Sequence, residues 1–147
     1  MRRPIVLWPL VFFLLFLALL GISGGISMLI DPSGSLLGVA EILSLLPVSS
    51  FILPGIFLIV VMGLFPLFLC FALVARPNWP RFDSLFQRSN YYWAWTGTLV
   101  LVAIIALWLL YEGLLIGFYP ITYFTAVLGM LILIFALLPG VRNYYAI

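Results

Sequence analysis

Residues 1–30 read MRRPIVLWPLVFFLLFLALLGISGGISMLI. Behind Arg2 and Arg3 lie 26 residues, Ile5 to Ile30, without a single charge. Roughly 20 apolar residues suffice for a helix to cross the hydrocarbon core of a bilayer. The run therefore predicts a membrane span that is long, tilted, or broken near Ser23-Gly24-Gly25. Such a start also has the charge pattern of a signal peptide. However, the run outlasts a typical h-region and no A-x-A-like site follows it, so an uncleaved first helix is the expectation.

Three further apolar runs follow, at about 51–75, 91–116 and 121–138. The six arginines alternate with them. Arg2 and Arg3 precede the first run, Arg76, Arg81 and Arg88 separate the second from the third, and Arg142 follows the fourth. Asp31, Glu41 and Glu112 fall in or beside the other two connections. Cytoplasmic segments are enriched in Arg and Lys, so the pattern predicts four spans with both termini in the cytoplasm. The expected architecture is an all-α, four-transmembrane-helix bundle, with residues 1–147 forming a single transmembrane domain. A basic set made only of arginine points to a bacterial plasma (inner) membrane.

Composition narrows the function classes. Hydrophobic residues make up 67% of the 147, and only 7% are charged. Soluble domains carry about 25% charged residues. The longest polar stretch, 76–90, is too short for a soluble domain, and a net charge of +2 spread over three segments does not mark a nucleic-acid binder. There is no His and no Lys, which removes Ser–His and Cys–His nucleophiles, Schiff-base chemistry and His-ligated metal or haem. One cysteine, Cys70, leaves no disulfide, C-x-x-C pair or thiolate zinc site. No cofactor and no metal is expected.

The connections have readable turn chemistry. Asp31-Pro32-Ser33-Gly34 places Asp, Pro and Gly where a β-turn favours them. Residues 35–46 form a segment too short to span, expected as an interfacial or re-entrant helix ended by Pro47. Pro66 sits inside span two and is expected to kink it unless neighbours satisfy the freed carbonyl. The loop 76–90 is expected on the membrane surface, with Arg76, Arg81 and Arg88 as headgroup anchors. The cluster Tyr91-Tyr92-Trp93-Trp95 reads as an interfacial aromatic belt. Gly21 with Gly25, and Gly113 with Gly117, are small-xxx-small pairs that let helices approach closely.

Three carboxylates are the candidates for binding a ligand or ion. Glu112 lies about 30 Å along a helix from Tyr91, near the far edge of the hydrocarbon. An ionisable residue in a span can carry a proton or bind a cation. Its plainer reading is a side chain reaching headgroup water. Glu41 either joins it at a cavity or supplies the wet face of an interfacial helix, and Asp31 is most simply a turn residue. Together the three would suit a hard cation, although their spacing singles out no metal.

The set Gly24-Gly25, Asp31-Pro32-Ser33-Gly34, Leu37-Gly38, Pro47-Val48-Ser49-Ser50-Phe51 and Pro54-Gly55 resembles a family of small prokaryotic four-helix membrane proteins described only as uncharacterised. The resemblance covers 22–63 and consists of turn and helix-start residues. It implies a fold and transfers no catalytic residue. A likeness to DoxX-type bundles is one of architecture alone. The sequence reading is a non-catalytic accessory or structural subunit of a larger membrane complex, contacting membrane lipids and either a partner membrane protein or copies of itself. The alternatives are a small oligomeric transporter or channel using Glu112, and a lipid-modifying enzyme using one of the three acids as general base.

Overall fold

The computed structural model describes residues 2–38, 40–47, 49–85 and 90–146. Among these the one strand-like pairing is an isolated antiparallel bridge between Tyr91 and Ala146. In chain order the helices are α1 (Leu7–Ile30), α2 (Ile52–Ile59), α3 (Phe65–Ala75), α4 (Pro80–Leu85), α5 (Trp93–Leu115), α6 (Pro120–Leu137) and α7 (Pro139–Tyr144). A wide turn of π-helix, Val60–Leu64, joins α2 to α3 and makes Ile52–Ala75 one continuous span. With α1, α5 and α6, that gives four helices long and apolar enough to cross a membrane. The chain is a multi-pass, all-α membrane protein.

The spans close into a ring. α1 lies against all of span two and against α6, while α5 packs on α3 and α6. The buried face of α1 is Leu7, Leu10, Val11, Leu14, Leu17, Ala18, Gly21 and Gly25, a helical stripe at three- and four-residue spacing. Opposite it stand Met62, Leu69, Cys70 and Leu73 of span two. Leu101 and Ile105 from α5, with Leu128 and Ile132 from α6, complete the core.

Pro66 explains the wide turn. Proline cannot donate an N–H, and its ring crowds the carbonyl four residues back. Just before it the helix widens, so that Phe65 N–H reaches Val60 O, five residues back. A π-turn is a recognised way to bend a helix without losing its axis. α2 leans onto α1 and makes no backbone approach to α5 comparable with that of α3.

Glycine permits that lean. A Cβ on Gly21 would overlap the carbonyl of Met62, and one on Gly25 would lie 2.6 Å from Gly55 O. In return, a Cβ on Gly55 would meet Met28 Cβ at 3.0 Å, and one on Gly63 would meet Ile22 Cγ1 at 2.6 Å. The two backbones are thus nearly in contact along about two turns of α1. Helix association in lipid gains little from the hydrophobic effect, so close dispersion contact of this kind carries much of it.

The 35–46 segment departs from the expected single helix. It consists of two 3₁₀ turns, Ser35–Leu37 and Ala40–Leu45, the second with no buried residue. Gly38 lies between them at φ +69° and breaks the helix. The Gly113/Gly117 pair lies at the end of α5. Gly113 abuts the ring of Phe118, from its own turn. Gly117 has open space around it and φ +84°, so it ends α5 in the left-handed conformation that glycine adopts without a Cβ penalty.

Substitutions on α1 separate contact from propensity. Gly21→Ala should destabilise the bundle by about 1–3 kcal/mol, the usual cost of overpacking. Gly24→Ala, where the new Cβ would meet Leu58 Cδ1 at 3.7 Å, should be neutral or stabilising. Denaturant unfolding of both variants in detergent micelles checks this, and equal effects at the two positions would remove the close-contact account.

Candidate functional site

Polar chemistry concentrates at the two ends of the bundle. Both termini reach the same end, here the arginine end. There α3 stops with its last carbonyls unsatisfied by its own helix. The cap residue of α3 and the two terminal segments supply donors. The Arg76 N–H donates to Ala72 O at 2.9 Å, Tyr145 Oη to Leu73 O at 2.5 Å, and Arg3 Nη2 to Val74 O at 3.0 Å. A positive side chain at a helix C-terminus is also favoured by the helix dipole.

Arg76 occupies a position where glycine is usual. Its φ of 49° is left-handed, which costs a non-glycine residue roughly 1–2 kcal/mol. Its guanidinium offsets this by lying over three rings, with Cζ 4.9 Å from the centre of Tyr144, 5.1 Å from Tyr92 and 5.3 Å from Tyr145. Arg76 Nη1 also donates to Tyr144 O at 3.5 Å. Tyr92 donates through its hydroxyl to Pro77 O at 2.6 Å and through its backbone to Tyr145 O at 2.8 Å. On the far flank Arg142 Nε donates to Tyr91 Oη at 2.9 Å.

Burial pushes the phenols of Tyr92 and Tyr145 above the usual tyrosine range, and the charge of Arg76 pulls both partly back. Tyr145 is completely buried. The belt expected at 91–95 is therefore only partly a belt. Tyr92, Trp93 and Trp95 are buried, with Trp95 Nε1 donating to Ala136 O at 2.8 Å and Trp93 stacked on Trp79 and Phe82. The sequence contained a signal for this: Arg76 directly follows an apolar run, and three tyrosines recur in the two segments that fold back beside it.

The expected surface anchors divide. Arg76 is exposed yet held by the tyrosines, Arg81 is exposed on α4, and Arg88 lies outside the described residues.

At the opposite, carboxylate end the three acids have separate roles. Asp31 follows α1 and caps the next turn. Its Oδ1 accepts from Ser33 N–H at 3.2 Å and Ser33 Oγ at 2.6 Å, and its Oδ2 accepts from Leu36 N–H at 3.0 Å. The Ser33 hydroxyl holds this carboxyl below its ordinary range. Glu41 is exposed on the second 3₁₀ turn. Glu112 is half-buried on α5 and accepts from Thr122 Oγ1 of α6 at 3.2 Å through Oε1. The same Thr122 oxygen accepts Tyr119 N–H at 3.2 Å, so Glu112, Thr122 and the α6 N-terminus clasp the α5–α6 turn. Among the described residues no three acids, cysteines or histidines gather where they could hold a metal ion.

Beside this end lies a cleft of about 380 Å³. Leu46 and Pro47 roof it, Leu53, Pro54 and Phe57 come from the α2 side, and Trp108 and Tyr111 come from α5. Phe57 and Trp108 stack across it with centroids 4.5 Å apart. The cleft lies between α2 and α5, and sequence reasoning did not anticipate it.

No family model matches the chain, and neither the curated proteins nor the solved structures yield a match.

The buried phenols predict alkaline sensitivity. Their folded pKa values are raised above an unfolded value of about 10. The resulting stability is fully present below that pH and is lost as pH rises toward the folded values. Tyr145→Phe should cost about 1 kcal/mol at neutral pH through the lost bond to Leu73 O. It should also reduce the alkaline loss. Unfolding midpoints of both proteins across the alkaline range, read with tyrosinate absorbance, check this. An unchanged alkaline profile in the variant would contradict it.

Proposed function

We propose that this chain is a non-catalytic component of a bacterial plasma membrane, with both termini in the cytoplasm, and that it serves as an accessory subunit packed against a partner membrane protein. The observation that carries this reading is the uneven enclosure of the spans. In their most apolar windows α1 and span two are each 39% buried, α6 is 28% buried and α5 only 17%. α5 is half detached from span two, and its Leu107, Leu110 and Leu114 are 67%, 60% and 79% exposed. A span so weakly held by its own chain suits a helix that finishes its packing on a neighbour. The interior supports the non-catalytic part of the reading. Its fully buried side chains include Leu7, Leu10, Leu14, Leu69, Leu101 and Ile132, and Thr98 and Thr122 are the buried polar residues among those described.

A second reading has one specific observation behind it. Glu112 is an ionisable side chain inside a span, hydrogen-bonded by a hydroxyl. In an oligomeric transporter it would be the coupling carboxylate. Glu112→Gln would then abolish flux in reconstituted vesicles while leaving the fold intact.

Gentle extraction from the native membrane, with mass spectrometry of what co-purifies, separates the two. The subunit reading predicts a stoichiometric protein partner. It also predicts that enlarging the exposed face with Leu110→Phe and Leu114→Phe lowers partner recovery at least tenfold, with unfolding of the isolated bundle unchanged. A lone species, or recovery unaffected by both substitutions, would sink it.

A further inference from the structure

We propose that Arg3, Arg76 and Arg142 form a headgroup site for one anionic phospholipid at the arginine end of the bundle. The three residues come from the N-terminal arm, the end of span two and α7, and they surround a single tyrosine cluster. Arg3 and Arg76 meet at the last turn of α3, and both charges act on the Tyr145 phenol. Arg142 stands on the flank formed by Tyr91, next to Tyr92, whose ring lies under Arg76.

None of these guanidinium groups forms an ion pair among the described residues. Each has five N–H donors. Arg3 gives one to Val74 O, Arg76 one to Tyr144 O, and Arg142 one to Tyr91 Oη, all neutral acceptors. The negative charge at this end is about half a charge from the α3 dipole and the carboxylate of Asp83 on α4, which acts on Tyr92. Arg3 and Arg76 share the α3 end and Arg142 stands on the adjoining Tyr91, each with most of its donors uncommitted, an arrangement that an anion stabilises. The planar fork of arginine matches a phosphate oxygen pair.

The source of the phosphate follows from the surroundings. The site lies at the end of a membrane span, at headgroup level, among tyrosines. Leu64, Leu67 and Phe71 form an exposed stripe leading along span two from the arginines, 52%, 43% and 52% exposed. An acyl chain has a surface there and a free phosphate has no use for one. Basic pockets between membrane helices on the cytoplasmic side are the usual geometry for such lipids.

The full chain, reconstituted in nanodiscs of phosphatidylglycerol and phosphatidylcholine in equal parts, tests this when retained lipid is read by native mass spectrometry. The expected result is one phosphatidylglycerol retained per chain in preference to phosphatidylcholine. The double substitution Arg3→Gln/Arg142→Gln should cut that retention about tenfold, as expected for losing charge-assisted hydrogen bonds. Added salt should weaken retention in the wild type. Should the double variant fail to fold, Arg142→Gln alone serves, since its described hydrogen bond is only to a tyrosine hydroxyl, and it should still lower retention several-fold. Equal retention of the two lipids overturns the proposal, as does wild-type retention in a folded variant. Displacement by millimolar inorganic phosphate would show a site for free anions and would also overturn it.

Discussion

The contact between α1 and span two is the constraint on which the other features rest. Gly21 and Gly25 on one side, and Gly55 and Gly63 on the other, bring the two helices so close that a Cβ at any of them would meet the facing helix at 3.0 Å or less. α2 packs its backbone on α1 and reaches α5 through the Phe57–Trp108 stack. The wide turn before Pro66 joins the half of span two whose backbone packs on α1 to the half that packs on both α1 and α5. The cleft at the carboxylate end lies between α2 and α5, where their backbones stay apart, and α5 is the least enclosed span. One tight pair of helices thus fixes where the bundle is dense and where it is open.

At the arginine end the same span is held differently. α3 ends in a left-handed residue and offers its carbonyls to both termini. The N-terminal arm and the C-terminal tail are more than 140 residues apart in sequence, yet their donors, Arg3 and Tyr145, bond to the adjacent carbonyls Val74 and Leu73. A helix end within or near a membrane cannot leave those groups to the hydrocarbon. Arginine satisfies the requirement by adding charge and tyrosine by adding a buried ring, so helix capping and charge clustering arise together.

Apolar length was enough to locate the spans. The first is expected at about 5–30 and found at Leu7–Ile30, and the third is expected at about 91–116 and found at Trp93–Leu115. Length reports the bilayer, and the bilayer is the same for every helix. What spacing cannot report is what faces a residue. Gly21/Gly25 and Gly113/Gly117 share one pattern, but one pair meets a neighbouring backbone and the other belongs to a turn. Tyr145 reads like any interfacial tyrosine until the fold shows it completely buried. The two 3₁₀ turns were hidden for a related reason. Gly38 carries the left-handed break, and a glycine among aliphatic residues fits a helix face equally well on paper.

Glu112 shows how a partner changes the meaning of a charged residue in a span. On sequence alone it stands as an isolated acid among aliphatic and aromatic neighbours, which favours a functional role. In the fold its Oε1 accepts from Thr122, and Thr122 in turn accepts from the N–H of Tyr119, the residue that caps α6. The acid thereby extends a helix cap by one link and ties the ends of two antiparallel spans. That task needs a hydrogen-bond acceptor of the right reach and does not need a titrating proton. The half-exposed carboxylate still has a second oxygen outside this clasp. Structure and transport therefore make separable demands on the same side chain: a glutamine keeps an acceptor for Thr122 and loses the charge.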